Sequence, residues 1–81
     1  MKDLSLERGI LRILWRVDAG IRETTLKYET EIAVDRVLLR DDFEEAMRCL
    51  NERGLIKVRQ NLIGERVWSI TRHGVLALKG E

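Results

Sequence analysis

The chain has 81 residues, of which 36% are charged and 44% hydrophobic, and its net charge is +1. Such a composition excludes a disordered tail and points to one soluble globular domain spanning residues 1 to 81. No apolar run approaches the roughly 20 residues of a membrane span, and Met1-Lys2-Asp3-Leu4-Ser5-Leu6-Glu7-Arg8 lacks the apolar core of a signal peptide. One cysteine permits no internal disulfide, so a cytoplasmic protein is expected.

The spacing predicts a first helix over residues 5 to 17. Leu6, Ile10, Ile13, Leu14 and Val17 form its apolar face, broadened by Leu11 and Trp15. Ser5 is a candidate N-cap and Gly20 a left-handed stop. Arg8, Arg12 and Arg16 form a stripe on another face, either a solvated surface or a contact for phosphates or an acidic partner. Residues 21 to 25 read as a short extended segment. A second helix is expected over 26 to 34, capped by Thr24 or Thr25, with Tyr28 or Glu29, Ile32 and Ala33 inward, followed by a turn over 35 to 38.

A third helix is predicted over residues 39 to 53. Phe43, Ala46, Met47 and Leu50 recur at i, i+3, i+4, i+7, with Leu39 extending the stripe backwards and Cys49 on its edge. Gly54 stops it. Residues 55 to 60 and 65 to 70 read as strands, with Ile56 and Val58 on one face of the first and Trp68 and Ile70 on one face of the second. Asn61-Leu62-Ile63-Gly64 is the tip between them. Leu62 and Ile63 are unusual at a tip and either fold back or meet a partner. Thr71 caps a last helix over 72 to 78.

Charge is unevenly placed. Residues 35 to 53 hold four basic and six acidic residues, for −2, whereas residues 54 to 73 hold four basic and one acidic, for +3. Enzyme chemistry finds no support. His73 stands alone, Cys49 reads as a buried small hydrophobe, and the pair falls short of the four ligands of a structural zinc site. No phosphate loop or dinucleotide fingerprint occurs, so neither catalytic residues, a metal nor a cofactor are expected.

The element order, with Glu52-Arg53-Gly54-Leu55-Ile56 after the third-helix stripe and Val67-Trp68-Ser69-Ile70-Thr71-Arg72-His73-Gly74 before the last helix, resembles the winged helix-turn-helix family over residues 5 to 79. Arg40-Asp41-Asp42-Phe43 is similar, more weakly, to the start of the third helix in small winged-helix proteins of Mu-like phages. The resemblance implies an α+β fold with a three-helix core, a two-stranded β-hairpin wing and a short C-terminal helix. It also implies a homodimeric transcriptional regulator of bacterial or phage origin that binds double-stranded DNA. The third helix would then enter the major groove and the wing would touch the backbone or minor groove.

Arg40, Arg48 and Asn51 on that helix, with Lys57, Arg59, Asn61 and Arg66 on the wing, are the candidate DNA contacts. Asp41, Asp42, Glu44 and Glu45 oppose this role, because phosphates repel carboxylates. The acids either form a solvated face or mark a protein-interaction module whose third helix meets a basic partner. The wing cations likewise suit either DNA or protection of an exposed strand edge. Trp68 is expected in the core under the wing and Trp15 at a dimer interface.

Overall fold

A computed structural model describes residues 4 to 17 and 19 to 80. The elements run α1 (Leu4–Arg16), β1 (Ile21–Arg22), α2 (Glu23–Val34), α3 (Arg40–Glu52), β2 (Ile56–Gln60), β3 (Arg66–Ile70) and α4 (Arg72–Lys79). One apolar cluster joins them: Leu6, Ile10, Leu11 and Leu14 of α1, Leu26 of α2, Phe43, Ala46, Met47 and Leu50 of α3, and Ile21, Ile56 and Trp68 of the sheet.

Helix α1 buries the expected stripe, but its margins differ. Ser5 lies inside the first turn, so the position before Leu4 falls outside the described residues, and Val17 follows the helix, exposed. Glu7, on the same side as Leu11, is buried and forms an ion pair with Arg53 at the end of α3 (Nη1–Oε1 3.0 Å). Arg53 stays half-exposed, so water screens this bridge from one end.

The second helix departs most from the sequence reading. It starts at Glu23, and Thr24 and Thr25 are helical residues rather than caps; Arg22 holds the cap position without a side-chain bond. Tyr28, Glu29, Ile32 and Ala33 are exposed, and the inward positions are Leu26 and Thr30. Thr30 is tolerated there because its hydroxyl donates to the Leu26 carbonyl at 2.7 Å, which leaves its methyl for packing. Asp35 ends α2 in the left-handed region (φ 56°). In the loop that follows, Leu38 enters the core and Leu39 points outward, reversing the expected role of Leu39. Glu31 holds this loop by accepting the Leu38 N–H at 2.8 Å.

The sheet has three strands in the order β1-β3-β2, all antiparallel. The hairpin β2–β3 is the expected one, and β1 adds Ile21 opposite Trp68 and Arg22 opposite Val67. Register places Ile56 against Ile70 and Val58 against Trp68 on the core side, with Lys57 against Ser69 and Arg59 against Val67 on the outer side. Val58 is nevertheless exposed, on the edge strand, although its partner Trp68 on the central strand is buried.

Four elements meet at one junction. The Leu55 N–H donates to the Leu50 carbonyl of α3, and the Thr71 N–H donates to the Leu55 carbonyl, both at 3.0 Å. The Thr71 hydroxyl donates to the Gly54 carbonyl at 2.6 Å and accepts the Gly74 N–H at 3.1 Å, capping α4 as expected. Gly74 is buried with Leu55 O and Ile70 Cγ1 where a β-carbon would stand. Replacing Gly74 by Ala is therefore expected to cost about 2–4 kcal/mol in urea unfolding. By contrast Gly64→Ala, at φ 86° with open space around it, is expected to cost only about 1 kcal/mol.

Candidate nucleic-acid interface

The α3 stripe that enters the core leaves Arg40, Asp41, Asp42, Glu44, Glu45, Arg48 and Asn51 exposed. Asp41 and Asp42 sit in the first turn, where the partial positive charge of the helix end favours them. Arg40 pairs with Glu44 (3.0 Å) and Arg48 with Glu52 (3.5 Å), both at i, i+4. Exposed pairs of this kind contribute about 0.3–0.5 kcal/mol, so either arginine can exchange its carboxylate for a phosphate.

The structure divides the seven candidate residues. Arg48 and Asn51 of α3 and Arg66 of β3 line one groove, whose floor is Phe43, Met47 and Trp68 and whose rim includes Glu23 and Glu44. Arg40 lies at the opposite end of α3 and does not line this groove. Lys57 and Arg59 are on the outer side of the hairpin, where they share a hollow with Ala19 and Ser69. The Arg59 guanidinium donates to the Ala19 carbonyl at 3.0 Å and remains exposed, while Lys57 makes no ion pair among the described residues.

Asn61 is largely occupied by the turn. Its Oδ1 accepts the N–H groups of Ile63 (3.1 Å) and Glu65 (2.9 Å), and its Nδ2 donates to Glu65 Oε1 (3.0 Å). Two backbone bonds of 3.0 Å, Asn61 N–H to Glu65 O and Gly64 N–H to Asn61 O, complete the tip. Asn61 therefore shapes the wing, a use of the side chain that Asx turns have in general.

Two positioning residues escaped the sequence reading. Glu23, at the start of α2, accepts the Trp68 indole N–H (3.0 Å) and faces Arg66 (3.7 Å), so one carboxylate ties the helix to the hairpin and orients the groove's arginine. A buried indole N–H needs an acceptor, which was the available signal. Arg22 pairs with Glu65 across the outer side (3.6 Å). Cys49 is half-buried rather than buried. Among the described residues no group of three or more His, Cys, Asp or Glu side chains could hold a metal ion, and no helix is long and apolar enough to cross a membrane.

No protein-family model matches the chain, and no curated protein does. Solved structures do. H. salinarum RosR superposes with a TM-score of 0.80 at 16% identity, over 93% of this chain and 66% of that one. A MarR-family transcriptional regulator from Silicibacter pomeroyi gives 0.76 at 20% identity, over 93% and 47%. SSV1 F-93 gives 0.76 at 24% identity, over 93% and 79%. The chain thus spans about half to four-fifths of the length of these proteins.

The fold is a winged helix-turn-helix. In it α2 and α3 are the helix-turn-helix pair and β2–β3 the wing, and β1 extends the wing sheet that the sequence reading gave two strands. The Asn61 network makes the rigidity of the wing tip testable by amide hydrogen exchange. Asn61→Ala is expected to speed exchange at Ile63 and Glu65 by roughly tenfold, the factor for about 1.4 kcal/mol, with the β2–β3 ladder near Ile56 and Ile70 unchanged.

Proposed function

We propose that the chain is a small DNA-binding regulator that contacts duplex DNA with its wing and with the groove between wing and α3. The observation that carries this reading is the convergence of Arg48 and Asn51 with Arg66, from segments far apart in sequence, in one exposed groove. Arginine bonds guanine or phosphate and asparagine bonds adenine, so this trio has the donors and acceptors that base edges require. Lys57 and Arg59 on the other side of the wing add phosphate contacts, and Arg40 adds one at the start of α3. Asn61 contributes by holding the tip. The RosR and MarR-family neighbours support the reading, the latter being described as a transcriptional regulator.

The proposal extends to a cytoplasmic homodimer of bacterial or phage origin. Trp15 is 46% exposed beneath the Lys79 ammonium (5.6 Å to the ring centroid), with Leu76 exposed on the same terminal helix, and this supports pairing of chains there. The similarity of Arg40-Asp41-Asp42-Phe43 to Mu-like phage proteins supports the origin. A second reading, a protein-interaction module, rests on Asp41, Asp42 and Glu45, which are exposed and make no ion pair among the described residues.

The two readings separate in a binding titration with mixed-sequence duplex at about 50 mM salt. Changing Lys57, Arg59 and Arg66 to Ala together is expected to weaken binding by roughly 10- to 100-fold. The slope of log K against log salt should flatten by about one per lost phosphate contact. Duplex binding that is absent, or equal in the variant, removes the DNA reading. Reversing Glu44 and Glu45 to Lys should then abolish capture of a basic partner.

A further inference from the structure

The wing tip carries two large apolar side chains with nothing to cover them: Leu62 is fully exposed and Ile63 is 78% exposed. They do not fold back onto the domain. The tip that presents them is also firmly built. Asn61 accepts two tip N–H groups, Gly64 supplies the positive φ of 86°, and the Asn61–Glu65 backbone pair closes the loop. Holding two aliphatic side chains outward on a hydrogen-bonded turn costs solvation in the free protein, and a solvated turn would ordinarily be polar.

The surroundings of the tip select its occupant. Behind it the hairpin bears cations on both sides of its plane: Lys57 and Arg59 on the outer side, and on the α3 side Arg66, which shares Glu23 of α2 at 3.7 Å. The hairpin's own one carboxylate is Glu65, itself paired with Arg22. An apolar point between two basic flanks matches a slot whose walls are negative and whose floor is apolar. The minor groove of DNA is such a slot, about 6 Å wide with a phosphate chain on each side and stacked bases beneath. Leucine and isoleucine are among the side chains that enter a base step from this groove and unstack it. A protein partner fits less well, since two side chains fall far short of the roughly 800 Å² per partner that a stable interface buries.

We propose that Leu62 and Ile63 form a wedge that enters the minor groove, opens a base step and kinks the duplex, while Lys57, Arg59 and Arg66 hold the phosphates on either side. The inference rests on the DNA-binding reading and adds the mode of recognition. Sites are selected partly by deformability, with flexible pyrimidine–purine steps such as TA favoured under the tip. It also gives the acidic α3 a tolerable place, because a complex led by the wing needs only Arg40 at one end of that helix and Arg48 and Asn51 at the other to reach DNA.

The test uses a duplex of about 30 base pairs with a central TA step, labelled at both ends, so that binding and end-to-end distance are read together by energy transfer. The full chain is compared with the Leu62→Ala/Ile63→Ala variant, whose tip side chains support no packing, and with Lys57→Ala. Wild type is expected to bind and shorten the end-to-end distance. The double variant should bind roughly tenfold more weakly without the shortening, its salt slope unchanged because an apolar contact releases no counterions. Lys57→Ala should instead flatten the slope by about one and keep the shortening.

Binding by wild type that is matched by the double variant, in affinity and in distance, overturns the wedge and leaves DNA binding standing. Absence of binding by wild type overturns both. Sedimentation in which wild type self-associates and the double variant does not assigns the tip to a second copy of the chain and overturns the wedge.

Discussion

The Thr71 hydroxyl is the contact on which the geometry of this domain depends. It donates to the Gly54 carbonyl and accepts the Gly74 N–H, so one oxygen joins the end of α3 to the start of α4. The Thr71 and Leu55 backbones pair beside it, and Gly74 leaves the room that Leu55 occupies. A two-stranded hairpin is marginal alone in water. Here its open end is held to two helices, and Glu23 adds a third attachment through Trp68 and Arg66. The angle between wing and α3 follows, and with it the distance at which Arg48 and Asn51 face Arg66.

On that frame the two faces of the candidate site carry opposite charge. The outward side of α3 has Asp41, Asp42 and Glu45 unpaired among the described residues, and its two arginines are shared with Glu44 and Glu52. Among the described residues the wing has Lys57 without an ion pair and Arg59 held by the Ala19 carbonyl. Long-range attraction for a polyanion therefore centres on the hairpin, and the weak surface pairs of α3 rearrange only at contact. In the proposed DNA-binding role the wing would approach first and the helix complete the interface, the reverse of a recognition led by a basic helix.

Much of this was legible in the sequence, and what was not has a common cause. Phe43, Ala46, Met47 and Leu50 declare their helix by period. Gly54, Gly64, Thr71 and Gly74 declare stops, tip and cap because glycine and threonine chemistry acts within a few residues. The extended segment expected over 21 to 25 is found only at Ile21–Arg22, and its place in the sheet has no local signature, since it is set by Trp68 and Val67 more than 40 positions away. Helix α2 misled because Thr30 reads as polar until its bond to Leu26 is known, whereas Tyr28 and Ile32 read as core yet lie outside.

Leu38 and Leu39 exchanged roles because the left-handed turn at Asp35 sets the loop's direction. Within the site, residue types were visible but their grouping was not. Nothing local separates Arg66 from Lys57, and only the strand register places them on opposite sides. Glu7 and Glu23 carry no local sign of their roles, because their partners lie 46 and 45 residues on.

The most direct measurement of wing-led DNA binding is an amide NMR titration of the full chain with mixed-sequence duplex at about 50 mM salt. Shift changes are expected across residues 57 to 66, at Arg48 and Asn51, and not along the outer face of α1. Changes confined to α1 and α4, with the hairpin unmoved, would contradict it.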